Sequence, residues 1–195
     1  MKIINYEGNK HQEDAMWLSL QHQYPTPELR GIVKEPVQKA RLDWLVTHTS
    51  GDRVLEVGTC SGYVIHSVPG NYKVGLDNSE VRLKLASWEF DDEALWVLDT
   101  ATKLPFEDKE FDTVILAEIL EHLPFEDAKI ALSEAIRVGK QVIITVPKNT
   151  SYISINHEHM WECTEAAVVE LLKSANCFYI ISSSFCDNFW LIEVK

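Results

Sequence analysis

The chain has 195 residues, 46% of them hydrophobic and 25% charged, with only 8 glycines and 7 prolines; this balance excludes a disordered or fibrous chain and fits one domain with a real core. No apolar run approaches the roughly 20 residues that span a bilayer, and the start, Met1-Lys2-Ile3-Ile4-Asn5-Tyr6-Glu7, lacks the apolar centre of a signal peptide, so a cytoplasmic protein without a membrane segment is expected. A formal net charge of -12 disfavours a broad nucleic-acid surface, which needs Lys and Arg to neutralise phosphates, and favours a small-molecule partner.

In chain order, Ala15 to Gln23 and Val37 to Thr47 carry apolar residues at helical spacing, separated by Tyr24-Pro25-Thr26-Pro27, which breaks the chain. Residues 1–50 therefore read as an N-terminal helical cap on a single domain spanning 1–195. Trp44 reads as core, and Trp17 and Tyr24 as candidates for contact with an acceptor. From Arg53 a regular alternation begins. Strand-length runs at Arg53 to Val57, Tyr72 to Leu76, Ala94 to Val97, Thr113 to Ala117 and Gln141 to Val146 are interleaved with helical stretches at Gly62 to Val68, Ser79 to Glu89 and Phe125 to Arg137. A helix over Thr164 to Ala175, with Thr164 as its cap, precedes two last strands at Phe178 to Ser183 and Trp190 to Val194. Strands alternating with helices imply right-handed crossovers and a mainly parallel sheet; the last two strands, with no helix between them, should form a hairpin and add one antiparallel strand.

Ligands of such sheets bind beyond the carboxyl ends of the strands, where the strand order reverses. After the first regular strand the chain reads Glu56-Val57-Gly58-Thr59-Cys60-Ser61-Gly62-Tyr63, a glycine turn leading into a helix. Asp77, followed by Asn78, ends the next strand 21 positions after Glu56, where a carboxylate can accept both hydroxyls of a ribose. Asp99 and Thr100 close the third strand, and Asp99 can accept from an adenine amino group; Glu118 closes the fourth. A nicotinamide fingerprint, G-x-G-x-x-G, fails here at two positions. Each feature also has a plain structural reading: a strand-helix turn at Gly58 and Gly62, a helix cap at Asp77, packing at Leu104-Pro105-Phe106.

Taken together, these motifs resemble the class I S-adenosylmethionine-dependent methyltransferases, whose pattern is E/D-x-G-x-G-x-G, a later acidic strand end, and LPF-x-D-x-x-FD. The resemblance covers roughly residues 40 to 195, with Cys60 standing where many members have the middle glycine. It implies an α/β fold: a Rossmann-like three-layer sandwich on a seven-stranded, mainly parallel sheet with one antiparallel strand near the C-terminus. It implies S-adenosyl-L-methionine as cofactor, with Glu56, Gly58, Thr59, Cys60 and Gly62 in the glycine turn near its methionine portion. Asp77 and Asn78 fall at the ribose, Asp99 and Thr100 at the adenine, and Glu118 beside the cofactor. Methyl transfer to a small-molecule acceptor, at oxygen, is the activity expected. The catalytic candidates are His122, then His157 and His159, because imidazole titrates near working pH.

Two further readings stay open. Glu118-Ile119-Leu120-Glu121-His122, with His159 before Trp161-Glu162-Cys163-Thr164, resembles the metal-binding elements of RNA 3′-terminal 2′-O-methyltransferases, although E-x-x-E-H-L also occurs in methyltransferases that bind no metal, and no metal ligand is assigned. A non-catalytic cofactor-binding protein is the other alternative, hinted at by Cys60. The four cysteines, Cys60, Cys163, Cys177 and Cys186, form no CxxC pair and are expected as free thiols.

Overall fold

The computed structural model describes residues 3–5, 36–90, 93–148, 159–182 and 188–195. The expected helix at Ala15 to Gln23, together with Trp17, Tyr24, His157 and Cys186, lies outside them. The described elements are β1 (Ile3–Asn5), α1 (Pro36–His48), β2 (Arg53–Val57), α2 (Tyr63–Ser67), β3 (Tyr72–Asp77), α3 (Glu80–Glu89) and β4 (Leu95–Leu98). They continue with β5 (Phe111–Ala117), a 3-10 turn at Leu120–His122, α4 (Phe125–Val138), β6 (Gly139–Pro147), α5 (Glu165–Ser174), β7 (Tyr179–Ser182) and β8 (Phe189–Val194).

The sheet runs β1-β4-β3-β2-β5-β6-β8-β7. Strands β2 to β6 are mutually parallel; β8 inserts antiparallel between β6 and β7, as the absence of an intervening helix requires. To the seven strands expected from the sequence, β1 adds a parallel edge strand beside β4. Strand order reverses at β2, which has β3 on one side and β5 on the other, so the loops after β2 and β5 flank the switch point.

Side chains on the strands alternate between two cores. Val54, Trp96, Leu98, Ile115, Ile143 and Leu191 face Trp44, Leu45, Ile65, Leu83 and Ala86 of α1 to α3. Their neighbours Leu55, Val97, Val114, Val142, Ile144 and Ile192 face Ala128, Leu132, Ala135, Val168 and Leu172 of α4 and α5. The period of two along each strand thus builds three layers, helices on both faces of a buried sheet, which is why the strands read as continuous apolar runs. Cutting Leu132, fully buried, to Ala would cost about 2 to 5 kcal/mol.

Helix starts follow local chemistry. Thr164 accepts from the Ala167 N–H as the expected cap of α5. Ser79, rather than Asp77, caps α3 by accepting from Arg82 N–H, while Asp77 Oδ1 accepts from Ser79 N–H. Glu126 and Asp127 in the first turn of α4 suit the positive end of its dipole. No helix of the described residues is long and apolar enough to cross a membrane.

Candidate active site

The loop after β2 is wound by three left-handed residues, Gly58 (φ 75°), Cys60 (φ 50°) and Gly62 (φ 76°). Backbone N–H groups of Gly58 and Thr59 both donate to Leu76 O at the end of β3 (2.8 and 3.0 Å), and Cys60 N–H donates to Asp77 Oδ2 at 2.9 Å. A side chain at Gly58 would collide with Ile119 of the loop after β5, and one at Gly62 with Trp96. Left-handed backbone and close packing therefore demand glycine here before any ligand does. Cys60 keeps a Cβ in the same region of backbone space, a conformation that costs an L-residue roughly 1 to 2 kcal/mol. Burial, the largest influence on its thiol, pushes the thiol up to about 12, so Cys60 is no thiolate nucleophile. Cys60, Cys163 and Cys177 are free thiols.

Glu56 pins this loop from beneath. At 2% exposure, its Oε2 accepts from the Thr59 hydroxyl (2.7 Å) and from Ile65 N–H (3.0 Å), tying the turn to the start of α2. Desolvation pushes its carboxyl up to about 8, against the opposing pull of those two hydrogen bonds and of Arg41.

On the next two strand ends Asp77 and Asp99 are buried, with Asn78 exposed and Thr100 half-buried between core and solvent. Asp99 N–H donates to Asp77 O (3.2 Å) and Asp99 Oδ1 accepts from Thr100 N–H (2.7 Å), so adjacent loops are bonded edge to edge. The Leu104-Pro105-Phe106 segment that follows is held by Arg137 of α4, which donates to Leu104 O, Phe106 O, Asp108 and Glu134. Glu134 in turn accepts from Leu104 N–H and stays below the ordinary carboxylate range, chiefly because of Arg137.

Beyond β5 the site changes character. Glu118 adopts φ 54°, its N–H donates to Thr145 O (2.9 Å), and its carboxylate meets the Thr145 hydroxyl. Among the described residues, its Oε1 and both carboxylate oxygens of the buried Glu121 have no hydrogen-bond partner. Burial raises both carboxyls, Glu121 well above the ordinary range, with the Glu118 charge adding to it. The His122 and His159 rings meet edge to face at 4.8 Å. His159 is brought there by the segment after β6: Met160 N–H donates to Glu121 O (2.7 Å) and Trp161 Nε1–H to Leu120 O (3.0 Å). Ligand atoms of Glu121, His122 and His159 lie within 4.8 Å of one another.

The structure therefore gathers Glu56, Gly58, Thr59, Cys60, Gly62, Asp77, Asp99, Thr100 and Glu118 along one edge of the sheet, with His122 and His159 at its β5 end. It also brings in Arg41 and Thr145, which motif reading missed. Arg41 of α1 is 7% exposed; its Nη1 donates to Thr145 Oγ1 (3.4 Å), its Nε to Gln38 Oε1 (3.1 Å), and its guanidinium lies over the Phe189 ring. A signal existed: Arg41 shares a helix face with Trp44 and Leu45 at i+3 and i+4, a cation in an apolar stripe.

Residues 55–142 match the family model of the methyltransferase domain. No curated protein sequence matches the chain. Among solved structures, a chain in the complex between the Haloferax volcanii Trm112 methyltransferase activator and a methyltransferase superposes with a TM-score of 0.71 at 16% identity, covering 93% of this chain and 95% of that one. Magnesium protoporphyrin IX methyltransferase from Synechocystis, with S-adenosylhomocysteine bound, gives 0.66 at 16% identity over 93% and 95%. The small RNA methyltransferase HEN1 gives 0.68 at 16%, covering 83% of this chain and 25% of that one. At these identities the likeness is one of fold. The domain match over residues 55–142 and the strand order give this chain a methyltransferase domain on the fold of those structures, and the buried acidic loop ends are consistent with the class I S-adenosylmethionine-dependent methyltransferases.

Proposed function

We propose that this enzyme transfers the cofactor's methyl group to a hydroxyl oxygen of a small-molecule acceptor. The observation that carries the reading is the meeting of His122 with His159 beside buried Glu121, next to the switch point where the cofactor loop lies. Buried carboxylates at successive strand ends suit the donors of the cofactor. Asp77 would take the ribose hydroxyls, Asp99 with Thr100 the adenine amino group, and the loop from Gly58 to Gly62 the methionine portion. S-adenosylmethionine supplies an electrophilic methyl on a good leaving group, so the chain's residues chiefly align the reactants and exclude water. A hydroxyl acceptor must also lose its proton, and His122 or His159 is within reach to hold it at a ring nitrogen. The acidic net charge supports a neutral or cationic small acceptor over a polyanion.

The test uses cofactor carrying a carbon-13 methyl group and a panel of phenols, sugars and hydroxy acids. Product methyl resonances in the O-methyl region are expected, and kcat should fall about 100-fold in His122→Ala or His159→Ala with cofactor affinity retained. Resonances in the N- or C-methyl regions would overturn the oxygen assignment.

A second reading is favoured by one specific feature: among the described residues, the carboxylate oxygens of Glu121 are unpaired beside the imidazoles of His122 and His159. Buried carboxylate oxygens without donors suit a divalent cation, and these three residues, with Glu118 as the fourth that the sequence resemblance adds, could hold one that polarises the acceptor hydroxyl. The acceptor would then be a terminal ribose 2′-hydroxyl of RNA. Activity that vanishes in chelator and returns with manganese or magnesium, on RNA and not on small molecules, would favour this reading over the first.

A further inference from the structure

Gly75 stands inside β3, where a glycine weakens a strand, and its backbone is not left-handed, so conformation does not require it. Space does. A Cβ at Gly75 would lie 2.6 Å from Cζ3 and 2.8 Å from Cε3 of Trp96, and 3.0 Å from Cγ2 of Thr59. The indole of Trp96 therefore lies across β3 in the gap that the glycine leaves. Register brings it there: Ile115, Glu56, Gly75 and Trp96 form one transverse row over β5, β2, β3 and β4, on the face where Glu56 reaches the start of α2.

The far edge of the same ring meets the glycine turn. A Cβ at Gly62 would lie 2.6 Å from Cη2 and 3.1 Å from Cζ3 of Trp96, and 3.0 Å from the Ala86 Cβ of α3. Gly62 closes the turn and leads into α2: its N–H donates to Thr59 O (2.8 Å), and its carbonyl accepts from His66 N–H (3.0 Å). One indole thus packs on both glycines, while Glu56 ties Thr59 and Ile65 beside it. Trp96 is 3% exposed, and its Nε1–H has no hydrogen-bond partner among the described residues. An unpaired buried donor is a cost that phenylalanine or leucine would not carry, so what the position uses is the reach of the ring.

We infer that Trp96 is a positioning residue for the cofactor: its indole supports the turn from Gly58 to Gly62 and sets the height at which that turn meets the methionine portion. A smaller residue lets Gly62 and the start of α2 settle toward β3 and draws the turn away from the ligand. The nucleoside end stays with the strand-end carboxylates. Gly75 is the mark of this arrangement in the sequence, a glycine required by a side chain on the neighbouring strand.

The inference rests on the cofactor reading given above and is tested by a reciprocal pair of substitutions. Trp96→Phe removes the outer ring atoms, and Gly75→Ala adds a methyl group where those atoms lie. Calorimetric titration would use S-adenosylhomocysteine and 5′-methylthioadenosine, which keeps the nucleoside and sulfur and lacks the amino acid. The wild type, both single variants and the double variant are compared, each well below its melting temperature. Affinity for S-adenosylhomocysteine should fall about 10-fold in each single variant, in the first because the turn loses its support and in the second because the methyl drives the ring into Gly62. In Trp96→Phe with Gly75→Ala the methyl fills the vacated space, and affinity should return to within about 3-fold of the wild type. Methylthioadenosine affinity should stay level across all four proteins. If Gly75→Ala does not fold by itself, its folding in the Trp96→Phe background reads the same reciprocity. Equal loss for both ligands, additive loss in the double variant, or no loss in either single variant would overturn the inference and leave Trp96 a core residue alone. Failure of the wild type to bind S-adenosylhomocysteine would overturn the cofactor assignment itself.

Discussion

In the β2 to β3 part of the active edge, the buried carboxylates hold their loops by bonds of short range. Glu56 reaches Thr59 and Ile65, Asp77 reaches Ser79 and Cys60, and the longest of these links spans 17 residues. In the β5 to β6 half, the groups come from far apart in the chain: Arg41 meets Thr145 across 104 residues, and Trp161 meets Leu120 across 41. The first half satisfies its buried carboxylates with its own backbone and the Thr59 hydroxyl, whereas the second leaves three carboxylate oxygens without partners among the described residues. A region whose polar groups are already paired can be rigid before a ligand arrives. One with orphaned groups carries a desolvation cost that a ligand or an ion relieves.

The largest expected effect sharpens this contrast through pH. Glu56 in the unfolded chain titrates near its ordinary 4.5, and in the folded protein near 8. The folded state therefore binds more protons between these values, so the stability Glu56 contributes is fully present below 4.5 and is lost as pH rises through 8. On the order of 4 kcal/mol is lost across the window, seen as a falling urea midpoint of the ligand-free protein. Glu118 and Glu121 act in the same direction. Glu56→Gln, which keeps an oxygen for Thr59 and Ile65, should flatten the slope by its share; an unchanged slope would break the comparison by placing the titration in the second half.

Next in size, Asp77→Ala should weaken cofactor binding by about 1.5 to 3 kcal/mol by calorimetry, because a charge-assisted partner is lost. The same change frees Cys60 N–H and Ser79 N–H, so the melting temperature should fall as well. Cofactor affinity that holds while stability falls would make Asp77 a loop brace alone.

The smallest effect concerns Cys60. Both Cys60→Ala and Cys60→Gly remove the thiol, but only glycine relieves the left-handed backbone. Cys60→Gly should therefore be the more stable of the two by about 1 kcal/mol, the reverse of the ordinary order. Equal urea midpoints would mean that the turn relaxes around any residue.

How much of this was legible beforehand follows the same division. The strands from Arg53 to Val194, the closing hairpin and the Thr164 cap announce themselves locally, through apolar runs, turn residues and a hydroxyl before an acidic first turn. The glycine turn and the acidic strand ends are legible for the same reason, each being a short segment whose backbone demands particular residues. The role of Glu56 was not: nothing in Val54-Leu55-Glu56-Val57 reveals that its side chain turns inward to hold Ile65 N–H. Arg41 left one local signal, a cation in an apolar helix stripe, but its partners Thr145 and Phe189 arrive beside it only in the folded chain.

The sequence by itself determined the order and type of the elements and the loops beyond the carboxyl ends of β2, β3 and β4, because these depend on side-chain period and on backbone conformations that few residues tolerate. Only the tertiary structure decided that α1 delivers a cation to the sheet edge, and that His159 closes on His122 above a buried glutamate. Those encounters are set by sheet register and by helix packing on both faces, and contacts between residues so far apart leave no local pattern in the chain.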